Sequence, residues 1–156
     1  MNWLDYMKKN KYKQGIFKPK NKHKCITDVC IYRSELELTY MRFLDSNSNI
    51  VSWGSESVVI PYIKPTDGKL HKYFIDFNFT IKDTTGTLHK FLVEVKPAKQ
   101  CSAPNTNNRK NKMNLLREQI TYATNTSKWA HATEWAKTHG YKFIIVTERD
   151  IKNLKN

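Results

Sequence analysis

Glu94 and Lys96 stand two residues apart in KFLVEVKPAK (90–99), a stretch whose Phe91, Leu92, Val93 and Val95 read as a buried β-strand. A carboxylate and an ammonium are costly in such a strand unless each meets a partner. Upstream, KYFIDFNFT (72–80) carries a second acid, Asp76, among apolar residues. Alternation along a strand puts Leu92, Glu94 and Lys96 on one face, with Phe91, Val93 and Val95 on the other. By the same rule Tyr73, Ile75, Phe77 and Phe79 share a face, opposite Phe74, Asp76, Asn78 and Thr80. Paired in register, the two strands would bring Asp76 and Glu94 together.

Two adjacent carboxylates repel unless one takes a proton or a cation sits between them. Oxygen ligands select a hard cation, Mg²⁺, with Mn²⁺ able to substitute. Lys96, on the Glu94 face, is placed to hold an attacking water or phosphate oxygens. Together these groups suit metal-assisted phosphodiester hydrolysis. Glu37 is the candidate third acid. On a helical wheel it falls between Met41 and Leu44 on the apolar side, whereas Glu35 falls near Arg42 on the polar side. Each residue also has a structural reading. Glu37 could close a capping box with Ser34, and Asp76 and Glu94 could pair with Lys96 or Arg109 in a salt-bridge network. Gln100 and Gln119 read as surface amides.

The elements that must position these groups follow from periodicity. Residues 34–47 read as a helix through Leu36, Tyr40, Phe43 and Leu44. Strands are expected at 50–53 and 56–63, a turn at PTDG (65–68), a long strand at 70–81 and a second turn at DTTG (83–86). The strand 88–96 then closes a hairpin over 70–96, and Pro97 ends it. A polar, basic loop follows at 101–111, then helices at 112–124 and 126–139, with apolar faces from Leu115, Leu116, Ile120, Trp129, Ala132, Trp135 and Ala136. Gly140 suits the helix stop. A final strand at 141–148 would join the sheet in parallel, before a trailing tail at 151–156. The expected class is α/β: one domain at 25–150, with a central mixed sheet flanked by helices and a basic N-terminal arm at 1–24.

A formal net charge of +13 on 156 residues points to a polyanionic partner, double-stranded DNA first. Residues 8–24 hold eight lysines and no acid. They read either as a solvated arm or as a segment lying along phosphates, with Lys18, Lys20 and Lys22 among its contacts. Lys99, Arg109, Lys110 and Lys112 flank the proposed site from the loop and are further candidates for the DNA backbone. No window approaches the roughly 18 apolar residues of a membrane span, and the N-terminus lacks a secretory apolar core, so no membrane is expected; a small-molecule cofactor is not expected either. Cys25, Cys30 and Cys101 make no disulfide framework, and the loose spacing around His23 makes no paired zinc motif.

The acid in Tyr73-Phe74-Ile75-Asp76-Phe77, followed by Glu94-Val95-Lys96, resembles the signature of the PD-(D/E)XK nuclease superfamily, with Ile75 where that family often has proline. Tyr32-Arg33-Ser34-Glu35-Leu36-Glu37 and the closing Trp135-Ala136-Lys137, Gly140 to Phe143 and Val146-Thr147-Glu148 extend the likeness. Over roughly residues 15–150 the chain is similar to the catalytic domain of TnsA-type transposon endonucleases. The resemblance implies a restriction-endonuclease-like fold and a Mg²⁺-dependent DNA endonuclease. Glu37, Asp76 and Glu94 would be its metal ligands and Lys96 its catalytic lysine. Likeness to phage members of the group further implies a role late in virion assembly, processing DNA before the tail joins. Portal, connector or head proteins would then be partners, in the host cytoplasm or the virion. The rivals are a non-catalytic DNA-binding protein of the head and a junction resolvase.

Overall fold

The computed structural model describes residues 14–107 and 111–154. Eight strands and three helices follow one another: β1 (Gly15–Phe17), β2 (Cys30–Tyr32), α1 (Glu35–Ser46), β3 (Ile50–Ser55), β4 (Val59–Ile63), β5 (Leu70–Phe74), β6 (Phe77–Lys82), β7 (Leu88–Val95), α2 (Lys112–Thr138), β8 (Lys142–Val146) and α3 (Glu148–Asn153). The central sheet has the order β3-β6-β7-β8, antiparallel except for the parallel β7–β8 edge. This is the mixed α/β class expected from the sequence, with helices on both faces.

One core lies between the sheet and α1 with α3. Tyr40, Met41 and Leu44 pack there with Trp53, Phe77, Phe79, Val93, Val95 and Ile151. The other face packs Leu92 with Ile60, Tyr62, Tyr73, Ile75 and the small residues Ala132 and Ala136 of α2. Alternation in β7 therefore sends Val93 and Val95 one way and Leu92 and Glu94 the other, as its sequence pattern requires.

The expected long strand over 70–81 is two strands. β5 pairs only with β4, from Val59↔Phe74 to Ile63↔Leu70, and β6 begins at Phe77 in the central sheet. Ile75 and Asp76 carry the chain from one sheet to the next. The shared face expected for Tyr73, Ile75, Phe77 and Phe79 is split accordingly, because the pleat resets where the chain leaves one ladder and enters another. The hairpin is thus β6–β7 alone. Its turn uses Gly86 at φ 85°, a left-handed conformation that glycine adopts without a Cβ penalty. Pro61 sits in β4, a strand paired on one side only, where its missing N–H costs nothing.

The two helices expected over 112–139 form one 27-residue helix through Asn125. Its C-terminal half packs on the sheet, while Met113, Leu116 and Ile120 remain exposed, so the apolar face expected for the N-terminal half is not buried. The tail does not trail off. Thr147 caps α3 in a full capping box with Asp150, and Ile151 is buried.

Residues 14–24 are not a free arm. The buried Asp45 carboxylate, at the end of α1, accepts from the backbone N–H of Lys20 at 2.9 Å and of Asn21 at 3.2 Å. Lys24 is buried and donates to the carbonyls of Asp45 and Asn47. Asp45→Ala would leave two backbone donors without acceptors. We expect a loss of about 2–3 kcal/mol in urea unfolding, with faster tryptic cleavage at Lys18–Lys22. Unchanged stability and cleavage would show that the strap is held by packing alone.

Candidate active site

The end of β7, the crossing segment before β6 and the first turn of α1 bring the chemistry together. Phe77 pairs with Val93, so the next step outward sets Asp76 beside Glu94. The neighbouring Val95 N–H holds it there, donating to Asp76 Oδ2 at 2.8 Å. Glu94 is buried, its Oε1 2.9 Å from Lys96 Nζ, and its Oε2 accepts from the Tyr73 hydroxyl at 2.5 Å. Asp76 Oδ1 accepts no hydrogen bond from the described residues.

Glu37 sits in the first turn of α1. Ser34 Oγ accepts from the Glu37 N–H at 3.1 Å, one half of a capping box. The Glu37 carboxylate does not complete it. Its Oε2 accepts instead from Arg33 N–H at 2.8 Å. The charges of both Glu94 and Glu37 act on Asp76.

The electrostatics are those of a crowded acid pair. Burial first, then the Glu94 charge, hold the Asp76 carboxyl well above the ordinary carboxylate range, against the pull of the Val95 N–H. Burial opposes the Lys96 charge, but Glu94 and Asp76 outweigh it and the ammonium is held above its usual value. Lys96 is therefore a fixed cation near neutral pH rather than a base. Burial and then Glu94 push the Tyr73 phenol far up, so Tyr73 stays a proton donor.

Among the described residues, no three His, Cys, Asp or Glu side chains stand together as a ready metal cage. The donor set nevertheless fits a hard divalent cation. Asp76 lies where the Glu94 charge acts on it, it keeps one oxygen uncommitted, and the place is poorly solvated.

Three participants escaped the sequence reading. Strand alternation puts Tyr73 on the face away from Asp76, whereas its hydroxyl holds Glu94. Arg33 pairs with Glu56, at 2.5 Å between Nη1 and Oε1, and feels the charges of Glu37 and Asp76. Glu56 takes a left-handed φ of 52° and donates its N–H to the Asp76 carbonyl. No spacing rule links these residues; only the crossing between sheets brings them together. Lys18, Lys20, Lys22, Lys99 and Lys112 are all exposed. Lys20 and Lys22 lie near Asp45, about 12 Å of helix from Glu37. Arg109 and Lys110 fall outside the described residues. The close Cys25 and Cys30 sulfurs, 3.4 Å apart, are both free thiols. No described helix is long and apolar enough to cross a membrane.

The family model described as TnsA-like endonuclease N terminal matches residues 47–148, a range that holds Asp76, Glu94 and Lys96 but not Glu37. The chain is also 36% identical over 148 residues to the head completion nuclease of Enterobacteria phage T4, covering 90% of this chain and 94% of that protein.

Proposed function

The chain belongs to the TnsA-like endonuclease family, and from that premise we propose that it is a Mg²⁺-dependent endonuclease. It hydrolyses phosphodiester bonds of double-stranded DNA, trimming DNA ends during phage head completion before tail attachment. The observation that supports this reading most is the pairing of buried Glu94 with Lys96 beside Asp76. The likeness to the T4 protein supports the place in head completion, where portal, connector or head proteins would be neighbours. The basic charge supports the substrate.

Asp76 and Glu94 would hold the ion, with Glu37 completing the set. Mn²⁺ would serve in place of Mg²⁺. A bound divalent cation supplies charge neutralisation at the phosphate and a more acidic water. The rest falls to the chain. Val95 N–H aims Asp76. Tyr73 and Lys96 fix both oxygens of Glu94, and the Lys96 ammonium orients the water and stabilises charge developing on the phosphate oxygens.

Supercoiled plasmid incubated with the protein should be nicked and linearised in Mg²⁺ or Mn²⁺ and left intact in EDTA. Cutting in EDTA, or none with any metal on linear, supercoiled or branched DNA, would overturn the reading. Glu37→Gln separates cap from ligand. Glutamine keeps an oxygen for the Arg33 N–H, so stability should stay within about 0.5 kcal/mol. Cleavage should fall about tenfold or more. Full activity with unchanged Mn²⁺ affinity would leave Glu37 as a cap only.

A further inference from the structure

Asn125 is out of place by every local rule. Asparagine is a weak helix former, yet it sits in the middle of α2. Asn125 is 8% exposed, and its amide is not among the buried polar atoms left without a partner. Asn125 lines a cleft of about 590 Å³ between the segment after Lys96 and the N-terminal half of α2, a volume suited to a small molecule or one nucleotide.

The other walls define the chemistry of the occupant. Tyr122 and Arg117 stand one and two helical turns before Asn125 on the same side of α2, and Lys99 and Gln100 face them from the loop. The loop wall begins three residues beyond Lys96, so Lys99 lies within about 11 Å of it. That is roughly three nucleotide steps of a DNA strand. Tyr122 offers a ring for stacking. Asn125 offers a donor and an acceptor side by side, the pattern that matches a base edge. Lys99 and Arg117 are exposed cations at the rim, placed for flanking phosphates. Glu118 also lines the cleft and would repel a phosphate.

We infer that this cleft receives one unpaired nucleotide of the DNA substrate, its base stacked on Tyr122 and hydrogen-bonded by Asn125, and that it directs cutting to DNA carrying such a nucleotide near the cleaved bond. A base inside a duplex has both faces stacked and its pairing edge occupied, so only an unpaired or extruded base can enter. The inference rests on the nuclease reading above for its cleavage consequence, but not for its binding consequence.

The test uses two duplexes of the same sequence, one with a single unpaired 2-aminopurine and one fully paired. Binding is read with full-length Asp76→Asn protein, so that cutting does not intervene. The unpaired 2-aminopurine should lose fluorescence on binding, and its duplex should bind about tenfold more tightly or better. Adding Asn125→Leu, which keeps volume and suits a helix, or Tyr122→Ala should remove both effects in protein whose urea midpoint shows it folded. Wild-type protein should cut the unpaired duplex about tenfold faster than the paired one, and Asn125→Leu should bring that ratio towards one. Equal affinities with unchanged fluorescence overturn the cleft assignment and leave the nuclease reading standing. Fluorescence loss that depends on Asn125 and Tyr122, with no cutting of any DNA by wild type, upholds the cleft and overturns the nuclease reading.

Discussion

Asp76→Asn should lower plasmid cleavage by about a thousandfold or more while making the metal-free protein more stable, by about 1–2 kcal/mol near neutral pH. The two effects share one cause. Asp76 is a poorly solvated carboxylate beside buried Glu94, and both burial and that charge favour its protonated form. Asparagine keeps an oxygen for the Val95 N–H and deletes the charge. The sign with pH follows. The native pair holds its proton more tightly than the unfolded chain does, so the wild type binds more protons when folded. Its stability in EDTA should then fall as pH rises from the ordinary carboxylate range, near pH 4, towards the raised native value. The advantage of Asp76→Asn should be absent at the acid end of that window and grow across it. Excess Mg²⁺ should stabilise the wild type and not the variant. Urea unfolding at several pH values in EDTA, and again in Mg²⁺, measures all of this. An active Asp76→Asn protein, or one less stable than wild type across the window, would remove Asp76 from the site.

Lys96→Met should also abolish cutting, by about a hundredfold or more, with the opposite effect on the fold. Removing the ammonium leaves Glu94 buried with only Tyr73 as partner, a charge without compensation. We expect a loss of roughly 1–3 kcal/mol, below the range for fully buried pairs because the Lys96 side chain keeps 21% exposure. Because Glu94 holds Lys96 protonated, the wild-type pH–rate profile should show no lysine ionisation below its usual range. The double variant Asp76→Asn/Lys96→Met should be little slower than either single variant, since the groups act as a unit. Plasmid cleavage and urea unfolding decide both points. A Lys96→Met protein that cuts normally would mean that the lysine serves only to neutralise Glu94.

The hairpin that pairs Asp76 with Glu94 was legible because both strands alternate cleanly and Phe77↔Val93 fixes the register. The break at Ile75–Asp76 was not, because Tyr73, Ile75, Phe77 and Phe79 are apolar whether they bury in one core or two. Nothing in the pattern shows which ladder a strand joins, so alternation alone gives Tyr73 the wrong face and hides its bond to Glu94. Asn125 misled in another way. It falls between the helices expected at 112–124 and 126–139, yet one helix runs through it, with Ala132 and Ala136 packed on the sheet. Residues 20–24 looked like free lysines because the acceptor that holds them, Asp45, lies more than twenty positions downstream.

The mixed sheet also sets the order in which the site comes together during folding. β6 and β7 are joined by a tight turn, so the two acids can meet through a fast local event while water still screens them. β8 reaches β7 only by closing a crossover that contains all of α2, a slower, non-local step. Glu94 pairs with Ile145 in that docking. If the site holds a divalent cation, the cost of crowding the acids should ease at that closing step, and refolding rates recorded in EDTA and in Mg²⁺ would differ accordingly.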